Sequence, residues 1–528
     1  MFKKRTLYLS AALLTLPLVA NAADAPFATS ADLRPLLAEL RHHCSALPAS
    51  LDENAQRLLR AFYAQRDGQR AWQSNEQRLQ LREQLTQLAD DGLQPSEYGL
   101  PSWIEERAAA QRDCADVLTS HSYLQALLHL RRGRLLQQRL EPLWQAPGQT
   151  NPDPNMATLS LALLHLQAPA AAFANARPAT VQYQQLRSAY AQQRLRPLTP
   201  WATLPSGPLL KPERQDARLP ALRARLFAQG YLATPGEALG NAYDGVTQSA
   251  LENFQRDHGL NPDGILGPAS LTELNISAQM RREQLRANLE RLRWLADDMR
   301  GAEVLINVAA GELQVVRDNQ LLWRSRTQVG RAERQTPLLA SRIERLTLNP
   351  TWTVPPTILR EDKLPAIRDD ISYLERHQIS VLDHAGNLLD PSTINWERPG
   401  AILLRQSAGS HNPLGRVVLR FANPFAVYLH DTPSQHLFSK APRAFSSGCV
   451  RVEAVDSLLA WLLTPDELKT VQARIASGDT QQYRLQHPAP LLIAYWTAEA
   501  SADGALHYYP DIYGRDGLLI KALAQPVP

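Results

Sequence analysis

Cysteine is scarce in this chain: Cys44, Cys114 and Cys449 are the only three among 528 residues. That excludes a disulfide-dense mini-fold. Neither charge dominates, since 56 Lys and Arg stand against 52 Asp and Glu for a formal net charge of +4. Such a balance gives no reason to expect a nucleic-acid or membrane-surface binder. Beyond the first residues no apolar run approaches the roughly 18 needed for a membrane-spanning helix. Metal and nucleotide signatures are missing as well. The sequence has no H-E-x-x-H, no Cys-x-x-Cys, no Walker loop and no G-x-S-x-G elbow. His42-His43 and His377…His384 stand without a plausible ligand set and read as surface histidines, so neither metal nor cofactor is expected.

What is present begins with Lys3, Lys4 and Arg5, followed by an apolar run from Leu7 to Ala20 and small residues at Ala20 and Ala22. Residues 1–22 therefore read as a secretory signal peptide cut after Ala22, with an uncleaved anchor as the rival reading. Loss of the three basic residues takes the net charge from +4 to +1. In an oxidising compartment an odd cysteine count leaves one thiol over. Cys44 and Cys114 share a helical region and Cys449 lies far off, so a Cys44–Cys114 disulfide with Cys449 free is expected. The alternative keeps all three reduced and buried.

Length and pattern point to a multidomain α+β protein. Residues 23–200 carry Leu and Ala at three- and four-residue spacing, as at Leu79, Leu81, Leu85 and Leu88, and read as a helical scaffold domain. A Pro-rich stretch, 201–215, reads as a linker. In residues 216–276 the phrase Asp244-Gly245-Val246 returns as Asp263-Gly264-Ile265, each time ahead of an amphipathic helix, which predicts a small three-helix module. A connecting helix is expected over 277–300, with Leu285, Leu289, Leu292 and Leu295 on one face. From 301 to 485 short strands dominate, among them Val304–Val308, Val417–Phe421 and Phe425–Leu429. A charged helical insert at about 355–400 reads as a cap on that β domain, and residues 486–528 as an extension packed on it.

Chemistry concentrates in Tyr428-Leu429-His430-Asp431 and Ser446-Ser447-Gly448-Cys449-Val450-Arg451. A thiol at its reference pKa of about 8.5 is only a few per cent thiolate near neutrality. A histidine in reach can take its proton or sit beside the thiolate as imidazolium. Gly448 lets backbone approach closely, and N–H groups around Gly448 and Cys449 suit an oxyanion hole. The parts suit acyl transfer.

His430…Ser446-Ser447-Gly448-Cys449-Val450-Arg451 resembles the signature of L,D-transpeptidases with a YkuD-type catalytic domain. Val329-Gly330 with Thr336-Pro337, Asn349 to Pro355, Asn412 to Gly415, Asn423-Pro424 and Asp511-Ile512-Tyr513 fit the same family, in its long periplasmic form. The 216–276 module likewise resembles the peptidoglycan-binding module of wall enzymes, with Leu271 where an aromatic is usual. The resemblance implies Cys449 as nucleophile and His430 as base, acting on peptidoglycan tetrapeptide stems with release of D-alanine and formation of a 3→3 cross-link. It implies that the backbone carbonyl of Asp431 orients the imidazole, the carboxylate of Asp431 being a second candidate. Gly448 and Ser447 belong to the supporting loop, and Arg451 either braces it or anchors a substrate carboxylate. Tyr428 and Trp352 would line the donor cleft or serve as ordinary packing. Implied partners are peptidoglycan synthases or carboxypeptidases, with carbapenems as covalent inhibitors. Water, a free D-amino acid or a lipoprotein lysine remain open as acceptors, as do a non-catalytic wall-binding scaffold and a cysteine peptidase of another fold.

Overall fold

The computed structural model describes residues 32–44, 47–48, 50–99, 109–148, 153–198, 200–235 and 240–526. The expected signal peptide lies outside the described residues. Among them no helix is long and apolar enough to cross a membrane.

The N-terminal region is helical, as the leucine spacing predicts. Glu53–Ala64 starts on Asp52, whose carboxylate accepts from the Ala55 N–H at 2.8 Å. Its Leu58, Leu59, Phe62 and Tyr63 lie on one face and pack with Leu81, Leu85, Tyr123, Leu127 and Phe173 from neighbouring helices. Cys44 and Cys114 are disulfide-bonded, tying the first turns to the long helix Ala109–Arg132, and Cys449 is free.

The stretch 201–215 is more than a linker. Leu204 and Leu210 are buried in the core of the following module with Leu222, Phe254 and Leu266. Leu210 bridges Leu266, and Leu204 exchanges hydrogen bonds with the Asn275 side chain at 2.8 and 3.0 Å. Prolines punctuate this segment, but its leucines are needed to close a core that three short helices, Leu219–Ala228, Gly245–Asp257 and Pro268–Leu274, leave open. The repeated Asp-Gly phrases do different work. Asp244 caps its helix through Thr247, whereas the Asp263 turn is gripped by Gln255, which bonds Asp263, Gly264, Ile265 and Ser270.

The connecting helix Ala278–Trp294 differs from the one-faced expectation: every residue from Gln284 to Trp294 is buried. Its arginines are taken up by carboxylates, Arg291 by two distant in sequence and Arg293 by one a turn earlier on the same helix. Arg291 pairs with Glu141 at 2.7 Å and with Asp516, and Arg293 pairs with Glu290. This helix is the shared axis of the molecule.

The strands, in chain order, are β1 (Trp144–Gln145), β2 (Val304–Asn307), β3 (Glu312–Arg317), β4 (Gln320–Gly330), β5 (Leu339–Leu348), β6 (Trp352–Thr353), β7 (Ile379–Leu382), β8 (Leu403–Gln406), β9 (Val417–Phe421), β10 (Leu429–His430), β11 (Ala444–Ser446), β12 (Val450–Val452), β13 (Gln481–Ala494), β14 (Ala498–Ala500) and β15 (Leu506–Tyr508). The order β5-β13-β2-β3-β4-β12-β10-β9 closes through a β9–β5 pairing, so the main sheet returns on itself. Closure removes open edges. Its interior holds Ile306, Leu313, Val329, Ile343, Leu419, Leu429, Val450 and Ile493.

Two boundaries shift. The expected break at 485/486 falls inside β13, whose halves pair with β5 on either side of an irregularity at Arg484/Ala489. Gln486-His487-Pro488 breaks the apolar alternation there and hides a strand central to the sheet. At the other end, β1 from the scaffold region pairs with β5, and Tyr183, Leu186 and Tyr190 of the helix Val181–Leu195 join the buried apolar cluster that runs through the connecting helix to the barrel. The expected strand 425–429 shrinks to Leu429–His430, because the Asn423 carboxamide accepts from the Phe425 and Val427 N–H groups and holds a loop. The helices of the capping insert pack with the three-stranded sheet β6-β8-β7, of which only β7 lies within 355–400, over a small core of Trp352, Ile367, Leu374, Val381 and Leu404.

Candidate active site

Strands β10 and β12 run parallel, with Leu429 opposite Val450 and His430 opposite Arg451. Side chains alternate across a sheet. Leu429 and Val450 therefore point into the barrel, and Tyr428, His430, Cys449 and Arg451 share the other face. The sequence reading brings these four together, and the structure does too.

His430 is buried, and its Nδ1 lies 2.6 Å from the backbone oxygen of Asp431. A neutral ring donates from Nδ1 to that carbonyl and keeps the Nε2 lone pair free. Burial first, and then the charge of Arg451, press the imidazole pKa down to about 3, against the pull of the Asp431 carbonyl. Burial also raises the Cys449 thiol above its ordinary value, opposed by hydrogen bonding from Tyr428 and by the charges of Arg451 and Arg420. Both groups therefore rest neutral at pH 7, as thiol and imidazole rather than as an ion pair.

The Asp431 carboxylate does not reach the ring. It accepts from the Arg416 N–H at 2.9 Å and pairs with that guanidinium at 3.5 Å. Arg451 donates from Nη1 to Gln328 on β4 at 2.9 Å, a bracing contact, while its buried Nε has no acceptor among the described residues. Tyr428 packs against both the barrel and the cap core, its ring 5.7 Å from that of His430, with Arg420 5.3 Å above it. Trp352 is buried in the cap core, and the Lys363 ammonium stands 5.4 Å from its ring centre.

Gly448 has φ 113°, a conformation that favours glycine. Its N–H is not free for an incoming oxyanion, because it donates to Ser446 Oγ at 3.1 Å. Ser447 accepts from Arg334 at 2.9 Å, and Arg334 also binds Glu361 and Asp362 of the cap. A polar cavity of about 520 Å³ opens beside this contact, lined by Arg331, Glu333, Arg334, Thr357 and Glu361. Sequence reasoning assigned no role to Arg334 or Gln328. Neither stands in a motif, and the residues of the Cys449 loop that they meet, Ser447 and Arg451, lie more than 100 positions away. Among the described residues no three His, Cys, Asp or Glu side chains converge as a metal site.

Three segments of the chain match known family models. Residues 301–475 match the family model of the L,D-transpeptidase catalytic domain, YkuD. Residues 57–189 match a scaffold domain, and residues 215–274 a "Putative peptidoglycan binding domain". A protein of Haemophilus influenzae named "Putative L,D-transpeptidase" is 36% identical over 242 residues, a match spanning 44% of this chain and 48% of that one. The chain thus covers about half the length of that relative. Two solved structures are similar at 15% identity. One is an L,D-transpeptidase of Xylanimonas cellulosilytica, with a TM-score of 0.19 over 55% of this chain and 99% of that one. The other is an L,D-transpeptidase from Mycobacterium smegmatis, with a TM-score of 0.18 over 37% and 59%. Scores this low support no further reading. On its family matches, the chain carries a YkuD-type L,D-transpeptidase catalytic domain at residues 301–475, joined to a scaffold domain and a peptidoglycan-binding domain.

Proposed function

We propose that the protein is an exported, periplasmic L,D-transpeptidase that joins peptidoglycan stem peptides by 3→3 cross-links through a thioester on Cys449. The observation that carries this reading is a free, half-buried thiol and a neutral imidazole set on one face of neighbouring strands, the imidazole Nδ1 closed off by the Asp431 carbonyl.

In the first step His430 Nε2 takes the proton of Cys449 as Sγ attacks the carbonyl carbon of the third stem residue, a diaminopimelate. The tetrahedral adduct collapses, the bond to the terminal D-alanine nitrogen breaks, and that nitrogen receives the proton back from His430. The acyl group is left as a thioester. In the second step the side-chain amine of another diaminopimelate attacks the thioester and gives its proton to His430. An amide forms, and Cys449 leaves as thiolate and recovers the proton. Tyr428 lines the donor cleft, Trp352 supports it from the cap, and the three-helix module holds the enzyme to the wall. Synthases or carboxypeptidases supply the tetrapeptides.

Intact-mass analysis of the protein mixed with a purified disaccharide tetrapeptide tests the reading. The expected result is a tripeptide adduct on the wild type that Cys449→Ala abolishes. An unmodified Cys449 beside hydrolysed substrate contradicts the thioester.

A further inference from the structure

Thr336 sits fully buried on the loop after β4, and its hydroxyl makes two hydrogen bonds. It accepts from the Gly330 N–H at 2.9 Å and donates to the Gly448 carbonyl at 2.9 Å. Tyr513, from the C-terminal segment, closes the same ring. Its hydroxyl accepts from the Thr336 N–H at 2.9 Å and donates to the Gly330 carbonyl at 2.7 Å. Gly330 fits this ring because a Cβ there would lie 2.1 Å from the Arg334 oxygen.

Tyr513 is itself held. Its ring stacks on Tyr495 with centroids 5.5 Å apart, and the Arg515 guanidinium lies 5.6 Å from its centre. The Tyr495 hydroxyl bonds Asp511 at 2.6 Å, and Asp511 also accepts from the N–H groups of Arg515 and Asp516. A rigid C-terminal cradle thus reaches the peptide bond immediately before the nucleophile.

In a trans peptide unit the C=O and the following N–H point to opposite sides. Drawing the Gly448 carbonyl to Thr336 therefore turns the Cys449 N–H the other way. That N–H has no acceptor among the described residues, whereas the Gly448 N–H is already occupied by Ser446. We infer that Thr336 and Tyr513 are positioning residues that fix the Gly448–Cys449 peptide so that the Cys449 N–H serves as the oxyanion donor. The inference rests on the thioester reading above. Neither residue touches substrate. Each acts through the orientation of one peptide plane, and a donor already oriented costs nothing to reorganise as charge develops on the carbonyl oxygen.

The test separates acyl chemistry from thiol reactivity. Acylation of Cys449 by meropenem passes through a tetrahedral oxyanion, and alkylation by iodoacetamide does not. Both rates are read by intact mass on the full chain. Thr336→Val is expected to slow acylation about 10- to 100-fold while alkylation stays within about threefold, the pattern of a misaimed oxyanion donor, short of the roughly 10²–10³ that outright loss of one costs. Thr336→Ser keeps the hydroxyl and should restore acylation, and Tyr513→Phe should slow it without changing alkylation. If Thr336→Val does not fold, Tyr513→Phe decides alone. Equal acylation in variant and wild type, or a parallel fall in both reactions, overturns the inference. A wild type that is alkylated yet never acylated instead overturns the thioester reading beneath it.

Discussion

The Nδ1 of His430 lies 2.6 Å from the backbone oxygen of Asp431, while the carboxylate of the same aspartate turns away to Arg416. A main-chain group therefore sets the tautomer, and the side chain next to it only fastens a turn. Asp431→Asn should keep turnover within about threefold, because the orienting carbonyl survives. A carboxylate that fixed the tautomer would cost about 10⁴ on replacement. His430→Ala, by contrast, should lose about 10² to 10⁴ in acylation rate. Steady-state rates on a tetrapeptide substrate compare the two variants directly.

The neutral resting pair has a pH signature. Burial takes the imidazole down to about 3, so His430 stays unprotonated from pH 5 upward and adds no inflection near 6.5. The thiol is raised, so its thiolate fraction climbs with pH past the ordinary thiol value. Iodoacetamide alkylation of Cys449 should therefore rise about tenfold per pH unit between pH 6 and 8, as thiolate population dictates. A rate flat across that range would mean a preformed thiolate–imidazolium pair.

Arg291 joins three distant parts of the chain. It is fully buried between Glu141 of the scaffold region and Asp516 of the C-terminal helix. Glu141→Gln leaves a buried guanidinium short of one counter-charge, a change expected to cost about 3–5 kcal/mol. Thermal unfolding should show the loss, and limited proteolysis should show the scaffold and the catalytic domain opening together. An unchanged melting temperature would mean that the arginine is compensated elsewhere.

The Cys44–Cys114 bond closes a loop of 70 residues. In the chain-entropy model such a bond stabilises by about 4 kcal/mol. The double variant Cys44→Ser/Cys114→Ser should melt markedly lower and still alkylate at Cys449 at the wild-type rate. Loss of Cys449 reactivity in that variant would tie the scaffold to the site more closely than the packing indicates.

Much of this was legible before any coordinate. Leucine spacing gives the helices, the repeated Asp-Gly turns mark the three-helix module, and the segments around His430 and Cys449 mark the candidate site. The rest depends on partners that no local pattern reveals. Arg291 looks like the wet face of a helix until Glu141 and Asp516 are brought to it. Two residues, Trp144 and Gln145, are too short a strand to announce itself. β13 hides because Gln486-His487-Pro488 interrupts its alternation. At the site, the idea of two free N–H donors missed that Ser446 already takes the one from Gly448.

Muropeptide mass analysis is the most direct test of the central claim. Mature protein, and its Cys449→Ala variant, are incubated with tetrapeptide-rich peptidoglycan and the digested products are weighed. The account predicts new tetra–tri dimers with a 3→3 linkage from the wild type alone. Tripeptides without dimers would make water the acceptor, and an unchanged profile from both proteins would contradict the account.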